Sequence, residues 1–488
     1  MPARTGQQYL EAINRQRREV WIDGERITEN VAEHPAFRGV TRTLAELYDM
    51  QHDPEYRDEL TYVCPETGER VGMSFLQPRT REDLARRSRM FYLWHSRTCG
   101  MMGRSADYLN SAIMAMAAAA DYFGQADRKF AENIRSYYKY VRDNDLLLTH
   151  TLINPQVNRA VGPSQQVADD IAARIVDEDD YGITIRGARL LATLGPITDE
   201  IMVFPSTLLK SGPEDEPYAY AFAIPCDTPG LRFICRETFD YGRSHQDHPL
   251  GSRFEEMDAI VVFDNVRVPW ERVFMYRQPE LCNGLYAETG AVVHMTHQVV
   301  TKNVAKSEFL LGLVSFMTEA IGIEGFQHVQ EKVAEFIIAL EFLKAALRAS
   351  EADAQIDRWG LMRPEFSYLN AARNWYPRTY PRLVDLIHQL GASGLMAIPS
   401  MSDFEGPIRP DLEKYLQGRG VDANTRVRLF RLAWDVAGSA FGQRQALYER
   451  FFFGDPVRMA GALVRSYDRK HLVERVRQFL EAPATVRV

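Results

Sequence analysis

The pattern of apolar and polar positions changes twice along the chain and divides it into three regions. Residues 1–148 show mostly helical periodicity. Thr80 and Asp83 have the spacing of a capping box, with Asp where Glu or Gln is usual, which predicts a helix start. Ser105 opens a second helix, rich in Ala and Met, that continues to Phe123. Helices of small residues pack closely against their neighbours, so we expect this one to be buried on most sides.

The second region, residues 149–279, consists of short β-rich runs separated by turn signals. These runs are rich in β-branched and aromatic residues and cover residues 182–186, 200–204, 218–224, 231–235 and 259–263. Short strands at such spacing predict a small β-barrel or sandwich.

The third region, residues 280–488, returns to long amphipathic helices. Apolar residues recur at three- and four-residue spacing over residues 307–320 and 329–349, and again over 424–453 after a stretch broken by prolines near residues 363–381. Helical, β and helical blocks in this order favour an α+β fold with segregated domains rather than a doubly wound sheet.

Size and charge narrow the class of protein. A chain of 488 residues is expected to form two or three packed units. The net charge is −8 with both signs mixed and no basic stripe, so nucleic acid is not an expected partner. The longest wholly apolar run, residues 112–120, is far shorter than the roughly 20 residues of a spanning helix, so no membrane association is expected. Five scattered cysteines and no secretory signal favour reduced thiols in the cytoplasm.

Several common site types lack their motifs. No GxGxxG opens a helix and no GxxxxGK[ST] occurs, so a Rossmann site and a P-loop have no support. Two histidine pairs could each supply two metal ligands, but neither completes a ligand set, so we predict no metal site. The pairs are His245 with His248 and His294 with His297.

Two polar constellations suggest chemistry in the first half of the chain. Arg104 and Tyr108 lie one helical turn apart and offer a cation and a phenolic donor on one face, although an Arg104–Asp107 ion pair with a core tyrosine is the simpler alternative. His150 can exchange a proton near neutral pH, and the amides of Asn154 and Gln156 suit the polar edge of a flavin or similar ring. A capped loop containing one satisfied histidine explains the second set equally well.

Two glycine-containing segments allow close approach of another group. One spans residues 185–195 and includes Thr193 as a small polar residue. In the other, Gly438, Ser439, Gly442 and Arg444 lie in a helical region that two glycines would weaken. A phosphate near the glycines, with Arg444 on a pyrophosphate, would explain this segment, and so would helix–helix packing alone.

Six stretches, in this order, resemble the 4-hydroxyphenylacetate 3-monooxygenase family, specifically the oxygenase (large) component of two-component FADH2-dependent phenol hydroxylases. Each stretch is a weak signal alone, but the resemblance runs along essentially the whole chain. The stretches are MMGRSADYLN, THTLINPQVNR, GARLLATLGPITDEIMVFP, FDNVRVPWERVF, GAVVHMTHQVVTKNVAKSEF and AGSAFGQRQALYERFFFGDP.

The resemblance implies the acyl-CoA-dehydrogenase-like fold. A helical N-terminal domain (residues 1–148), a middle β-barrel domain (149–279) and a C-terminal four-helix bundle with a tail (280–488) would assemble into homotetramers. The implied reaction uses FAD, as FADH2 from a separate NAD(P)H-flavin reductase, and O2 as co-substrate. It converts a phenol such as 4-hydroxyphenylacetate to a catechol through a C4a-hydroperoxyflavin.

The resemblance also implies roles for individual residues. Arg104, Tyr108 and His150 match the residues that surround the phenol and stabilise its oxygen. The stretch from His150 through Asn154 to Gln156, together with Thr193, matches the flavin contacts. The remaining implied contacts are Ser206 and Thr207 to the substrate's carboxylate, and Gly438, Ser439, Gly442 and Arg444 to the FAD of a neighbouring subunit.

Three other functions remain open from sequence. An acyl-CoA-dehydrogenase-like flavoenzyme acting on a CoA thioester would share the fold but needs a catalytic carboxylate in the bundle. The 4-hydroxybutyryl-CoA dehydratase branch holds an iron–sulfur cluster, for which this chain has Gly103 four residues after Cys99 and Thr301 four after His297, so the ligand set is incomplete. A flavin-storage protein without catalysis is the third, and the presence of Arg104, Tyr108 and His150 speaks against it.

Overall fold

The computed structural model describes residues 3–28, 30–205, 208–240 and 242–481. Its elements follow the helical, β, helical order that the sequence predicts. The first part is mainly helical, and its elements are α1 (Gly6–Arg15), β1 (Glu19–Ile22), β2 (Glu25–Arg26), α2 (Arg38–Met50), α3 (Arg57–Leu60), β3 (Thr61–Val63), β4 (Arg70–Gly72), α4 (Arg81–Arg97), α5 (Ala106–Ala118), α6 (Ala120–Phe123) and α7 (Arg128–Asn144).

Both helix starts expected in this part are confirmed. The Thr80 hydroxyl accepts from the backbone N–H of Asp83 at 3.1 Å, and the Asp83 carboxylate accepts from the backbone N–H of Thr80 at 3.0 Å, which forms the capping box of α4. Every residue of 106–117 in α5 is buried. The Ala/Met-rich helix therefore lies inside the molecule, as its small side chains predict, although it ends at Ala118 and a separate turn, α6, reaches Phe123.

The middle of the chain forms most of the β structure. Its elements are β5 (Leu148–Thr151), β6 (Arg174–Asp179), β7 (Gly182–Thr193), β8 (Glu200–Val203), β9 (Tyr220–Pro225), β10 (Leu231–Cys235), α8 (Gly251–Phe254), β11 (Asp258–Pro269) and β12 (Val273–Tyr276). These strands lie in a six-stranded sheet, in the order β2-β1-β10-β11-β7-β6, and a four-stranded sheet, in the order β12-β9-β8-β5.

The predicted closed barrel is not confirmed. The six-stranded sheet has β2 and β6 at its two edges and the four-stranded sheet has β12 and β5, so both sheets are open. The remaining described strands form two separate pairs, β3 with β4 and β13 with β14. The N-terminal part also contributes a strand that sequence missed, since β1 pairs parallel to β10 with Val20 opposite Phe233. The sequence did not reveal this pairing because the two strands lie far apart along the chain.

The last part of the chain is helical and surrounds one long central helix. Its elements are α9 (Pro279–Glu288), α10 (Ala291–Ala320), α11 (Gln327–Ala352), β13 (Gln355–Ile356), β14 (Met362–Arg363), α12 (Phe366–Gly391), α13 (Arg409–Tyr415), α14 (Ala423–Ala437), α15 (Ala440–Phe451), α16 (Pro456–Ser466) and α17 (Lys470–Glu481). The mostly buried α10 packs against α11 and α12 on one side and against α4 and α5 on the other.

Two expectations for these helices are wrong in detail. Pro377 and Pro381 do not interrupt the helical structure but lie inside α12. Packing of α12 against α10 and α11 outweighs the loss of two backbone N–H donors. The predicted helix over residues 424–453 is split at Gly438 and Ser439 into α14 and α15. Within the described residues, no helix has both the length and the apolarity needed to cross a membrane.

Candidate phenol and flavin site

Arg104 and Tyr108 lie together at the start of α5. The Arg104 guanidinium carbon is 4.1 Å from the centre of the Tyr108 ring, and it also faces the rings of Tyr448 and Phe452 at 5.4 and 5.8 Å. The ion pair with Asp107 that sequence allowed is absent from the contacts of these described residues. The carboxylate of Asp107 instead contacts Ser105, His95 and Gln298.

The charge of Arg104 is buried but not paired through its guanidinium. Within the described part of the chain, Arg104 meets a carboxylate through its backbone N–H alone, which donates to Oε1 of Glu256 at 2.6 Å. Among the described residues, its buried Nη1 has no hydrogen-bond partner. A buried donor without a partner costs free energy, so this guanidinium is suited to an incoming oxygen that carries negative charge.

His150 faces the same space from strand β5. Its ring centre is 5.9 Å from that of Tyr108, and the two rings are inclined by 37°. Burial, together with the nearby charge of Arg104, holds the pKa of His150 well below its usual value. The imidazole is therefore neutral at neutral pH and can accept a proton. The predicted triad of Arg104, Tyr108 and His150 comes together in space.

Of the residues expected at the flavin, Thr193 is bonded to the strand that carries His150. Thr193 ends β7, where its hydroxyl donates to Asp258 at 2.8 Å and its carbonyl accepts from the Thr149 hydroxyl at 2.7 Å. These two bonds connect β5, the strand that carries His150, through β7 to β11 of the six-stranded sheet. Asn154 is half-buried, and its side-chain Oδ1 is buried without a partner in the described residues, whereas Gln156 is exposed. An amide oxygen in this state fits a ligand with N–H donors, such as a flavin ring.

The glycines of the second glycine-containing segment, Gly438 and Gly442, pack against residues of the same chain. A side chain at Gly438 would meet the Trp434 ring at 2.5 Å, and one at Gly442 would meet the Val436 carbonyl oxygen at 2.3 Å. The Ser439 hydroxyl caps α15 by accepting from the N–H of Gly442 at 3.0 Å. Close packing between α14 and α15 therefore accounts for the glycines without a phosphate.

Arg444 also meets carboxylates of its own chain rather than open space. Its Nε and Nη2 donate to the two oxygens of Asp258 at 3.0 and 2.8 Å, and its Nη1 donates to Glu256 at 3.0 Å. A pyrophosphate at this guanidinium would have to compete with both acids. Ser206 and Thr207, expected at the substrate's carboxylate, lie outside the described residues.

Each histidine of the two candidate metal pairs has a protein partner. His294 faces Arg87 at 3.3 Å, and His297 contacts Glu351 at 2.8 Å. His245 contacts the Ser252 hydroxyl at 2.7 Å, and His248 faces Arg243 at 3.2 Å. In the part of the chain that the structure describes, no group of three or more potential ligands is placed to hold a metal ion.

Sequence reasoning missed the buried charges around the triad. Glu256 and Asp258 were not singled out, nor was the cluster of Lys302, Lys306 and Glu449. A signal for the lysines was available, because they lie four residues apart in the otherwise apolar run of α10 and therefore share one face. Glu256 and Asp258 gave no comparable signal, since the arginine that they share, Arg444, lies 188 and 186 residues away.

Comparison with known proteins covers both halves of the chain. Residues 5–275 match the family model for the 4-hydroxyphenylacetate 3-hydroxylase N-terminal region, and residues 282–481 match that for the C-terminal region. The 4-hydroxyphenylacetate 3-monooxygenase oxygenase component of Thermus thermophilus is 53% identical, over 98% of each chain. A crystal structure of an oxygenase component of this name, complexed with FAD and 4-hydroxyphenylacetate, is similar with a TM-score of 0.93, 53% identity and 98% coverage of each chain.

A more distant structure defines the wider fold class. An oxygen-tolerant archaeal 4-hydroxybutyryl-CoA dehydratase from N. maritimus shares the fold with a TM-score of 0.88 at 21% identity, covering 98% of this chain and 95% of its own. The α+β fold predicted from sequence is confirmed, apart from the barrel, and both this structure and that of the oxygenase component share it. With both family models matched along nearly its full length, the chain belongs to the 4-hydroxyphenylacetate 3-hydroxylase family.

Proposed function

We propose that the protein is the FADH2-using oxygenase component of a two-component monooxygenase that hydroxylates 4-hydroxyphenylacetate, or a related 4-substituted phenol, next to its hydroxyl group. The observation that carries this proposal is the buried guanidinium of Arg104, which has an unpartnered donor and lies against Tyr108 with neutral His150 beyond it. A cation, a phenolic donor and a proton acceptor around one space suit the oxygen of a phenol.

The three residues have distinct tasks in this proposal. Arg104 and Tyr108 donate hydrogen bonds to the phenol oxygen, which becomes negatively charged as its proton leaves and from which electron density then flows to the neighbouring ring carbon that is oxygenated. His150 accepts the proton, because its neutral form has a free lone pair at neutral pH. Since Arg104 is not neutralised by an acid at its guanidinium, its full charge is available to the substrate.

Reduced FAD, when bound, supplies the electrons that activate O2 for transfer to the ring. His150, Asn154, Gln156 and Thr193 would hold its ring, and the unpartnered amide oxygen of Asn154 fits an N–H of that ring. A contribution of Gly438, Ser439, Gly442 and Arg444 to a neighbouring subunit's cofactor, and of Ser206 and Thr207 to the substrate's carboxylate, stays a prediction.

We propose further that the protein is a cytoplasmic homotetramer that receives FADH2 from a separate NAD(P)H-flavin reductase. Exposed apolar side chains on two helices support assembly, because isolated subunits rarely leave such surfaces in water. They are Ile337, Ile338 and Phe342 on α11 and Val473, Val476, Phe479 and Leu480 on α17. The native mass of the purified protein tests the tetramer. The division of the chain into domains after residues 148 and 279 is also part of this proposal.

The experiment that tests the activity mixes the protein anaerobically with FADH2 and 4-hydroxyphenylacetate and then admits ¹⁸O2. A catechol containing one ¹⁸O atom supports the proposal, and H2O2 formed in place of catechol measures uncoupled oxidation. FADH2 oxidation without catechol from 4-hydroxyphenylacetate, halogenated phenols and carrier-tethered phenols would contradict it. A CoA thioester offered with oxidised FAD serves as the control for dehydrogenase activity.

A further inference from the structure

A continuous chain of hydrogen bonds passes through Arg444 and joins the two sides of the site. On one side, Glu256 accepts from Nη1 of Arg444 at 3.0 Å and, with its other oxygen, from the backbone N–H of Arg104 at 2.6 Å. On the other side, Asp258 accepts from Nη2 of Arg444 and from the Thr193 hydroxyl, both at 2.8 Å and both on Oδ1. The Arg444 guanidinium therefore contacts the side-chain supports of both the phenol residue and the flavin residue. Arg236 adds a second cation, which donates from Nε to Asp258 at 3.1 Å and from Nη2 to the backbone carbonyl of Glu256 at 3.0 Å.

The chain of contacts extends to the strand of His150. The carbonyl of Thr193 accepts from the hydroxyl of Thr149, the residue immediately before His150 in β5. The groups that set the positions of Arg104, Thr193 and His150 thus belong to one buried network. Its central member is supplied by α15, a helix from the opposite end of the sequence.

The charges of the network explain why an arginine occupies the centre. Glu256 is fully buried and lies at the backbone of Arg104, where it is an obvious anionic partner for the Arg104 guanidinium. Arg444 neutralises this carboxylate in place of Arg104. Against the effect of burial, Arg444, together with Arg236, holds the pKa of Asp258 at about 2, so this acid stays ionised at its end of the network.

We propose that Arg444 is a positioning residue that holds Arg104 and Thr193 in a fixed relation through Glu256 and Asp258, and so aligns bound phenol with bound flavin. In this assignment Arg444 acts on the phenol and the flavin of its own subunit through Glu256 and Asp258 and contacts neither of these two ligands. The inference rests on the proposed function for the identity of the ligands, and it adds a residue that determines how the two binding sites are coupled. Lysine cannot replace it, because one ammonium group lacks the fork that reaches two carboxylates.

The experiment compares Arg444→Lys with Glu256→Gln, Asp258→Asn and a matched control. Arg4→Lys is the control, because Arg4 also forms a buried, forked pair with one acid, Asp199, at 3.2 and 2.6 Å, outside this network. Dissociation constants for 4-hydroxyphenylacetate and for FADH2 are measured anaerobically by titration, so they do not depend on turnover. Thermal unfolding and catechol yield per FADH2 are measured on the same samples.

Arg444→Lys should weaken both ligands by about tenfold, the usual effect of losing a charge-assisted hydrogen bond. Glu256→Gln should weaken mainly the phenol, and Asp258→Asn mainly the flavin. Arg4→Lys should lower the unfolding temperature but leave both dissociation constants unchanged. Catechol yield should fall further in Arg444→Lys than in either acid variant, since only there are both sides displaced.

Two results would overturn the inference. One is an Arg444→Lys protein that unfolds at lower temperature but binds both ligands as the wild type does, as the control should. The other is Glu256→Gln and Asp258→Asn proteins with the same ligand profile. A wild-type protein that binds both ligands but forms no catechol would instead contradict the proposed function, and the binding results would still decide the role of Arg444.

Discussion

Two buried charged regions lie close to one another. They differ in whether their charged groups have hydrogen-bond partners within the protein. In the lysine cluster (Lys302, Lys306 and Glu449), both ammonium groups contact one carboxylate oxygen, at 2.5 and 2.6 Å, and all three residues are fully buried. In the phenol region (Arg104, Tyr108 and His150), the guanidinium has a donor without a partner and the imidazole stays neutral. The first arrangement fixes helices α10 and α15 to each other, and the second leaves polar groups for a ligand.

The contrast separates stability from function in a testable way. Changes in the lysine cluster should act first on unfolding, because its charged groups already have one another as partners. Changes in the phenol region should act first on the reaction, because its groups gain their partners only when substrate binds. The Tyr448 ring lies between the regions, 5.0 Å from Lys302 and 5.4 Å from Arg104, so they are neighbours and yet predicted to respond differently.

The largest effect is expected for Glu449→Gln in the lysine cluster. Removing this carboxylate leaves two buried ammonium groups without a counter-charge, which typically costs about 3–5 kcal/mol of unfolding free energy. Burial already lowers the pKa of Lys302 to about 7, so without Glu449 this lysine should lose its proton at neutral pH. Denaturant unfolding measures the loss.

Glu335→Gln is the matched control for that variant. Glu335 pairs with Arg382 at 2.9 Å on the surface, where both side chains are more than a third exposed. Exposed pairs contribute about 0–1 kcal/mol, so the control should unfold nearly as the wild type does. Equal losses in the two variants would show that the buried cluster is not what holds α10 and α15 together.

The next largest effect is expected for Arg104→Gln, and it should appear in the reaction. Loss of a donor aimed at developing negative charge typically lowers the rate by about 10²–10³. Catechol formation should fall by that order while H2O2 rises, with FADH2 consumption largely retained. The yield of both products per FADH2 measures the change. If the catechol yield per FADH2 is unchanged, the assignment of Arg104 to the phenol oxygen is wrong.

The sequence predicted features that depend on neighbouring residues better than it predicted contacts between residues far apart in the chain. Local patterns located the capping box at Thr80, the buried α5 and the order of helical and β blocks, because each depends on residues close together in the chain. Helical spacing placed Arg104 beside Tyr108, but His150 was grouped with them only through resemblance to a family, since 42 residues separate Tyr108 from His150.

The supporting network could not be predicted in the same way. Arg444 meets Glu256 and Asp258 across 188 and 186 residues, and pairings at such separation leave no periodic signal in one sequence. An arginine near two glycines was therefore interpreted as a phosphate contact. The parallel pairing of β1 with β10 also escaped prediction, because it depends on how the N-terminal part packs and not on the strand sequences.

A smaller effect is expected for His150→Asn, together with a distinctive pH dependence. Loss of the proton acceptor should lower hydroxylation by about 10². Burial and Arg104 lower the pKa of His150, so the folded protein prefers the neutral form. The stability that His150 contributes is therefore present above its usual pKa of about 6.5 and is lost as the pH falls below it. Because the imidazole also stays neutral as the pH is lowered through 6.5, catechol formation should stay constant over that range. It should decline only at more acidic pH, where His150 becomes protonated.

Hydroxylation rates from pH 5 to 8, with wild type and His150→Asn compared, measure that dependence. The wild type should show its acidic decline well below 6.5, and His150→Asn should lack it. An acidic decline centred near 6.5 that disappears in His150→Asn would mean that the imidazole is not held neutral as the structure indicates.

The smallest effect, expected for Thr193→Val, tests whether the flavin side resembles the phenol region or the lysine cluster. The Thr193 hydroxyl donates to Asp258, so valine removes one hydrogen bond and preserves the shape of the side chain. Such a bond contributes about 0.5–1.5 kcal/mol, equivalent to a several-fold change in an equilibrium constant. If Thr193 serves the flavin, that change should appear in the FADH2 dissociation constant rather than in unfolding. Thr149→Val removes the adjoining bond to the Thr193 carbonyl and should shift hydroxylation through His150 instead. A Thr193→Val protein that is less stable but binds FADH2 normally would assign Thr193 to the same class as Lys302, a polar residue whose contacts serve only the fold.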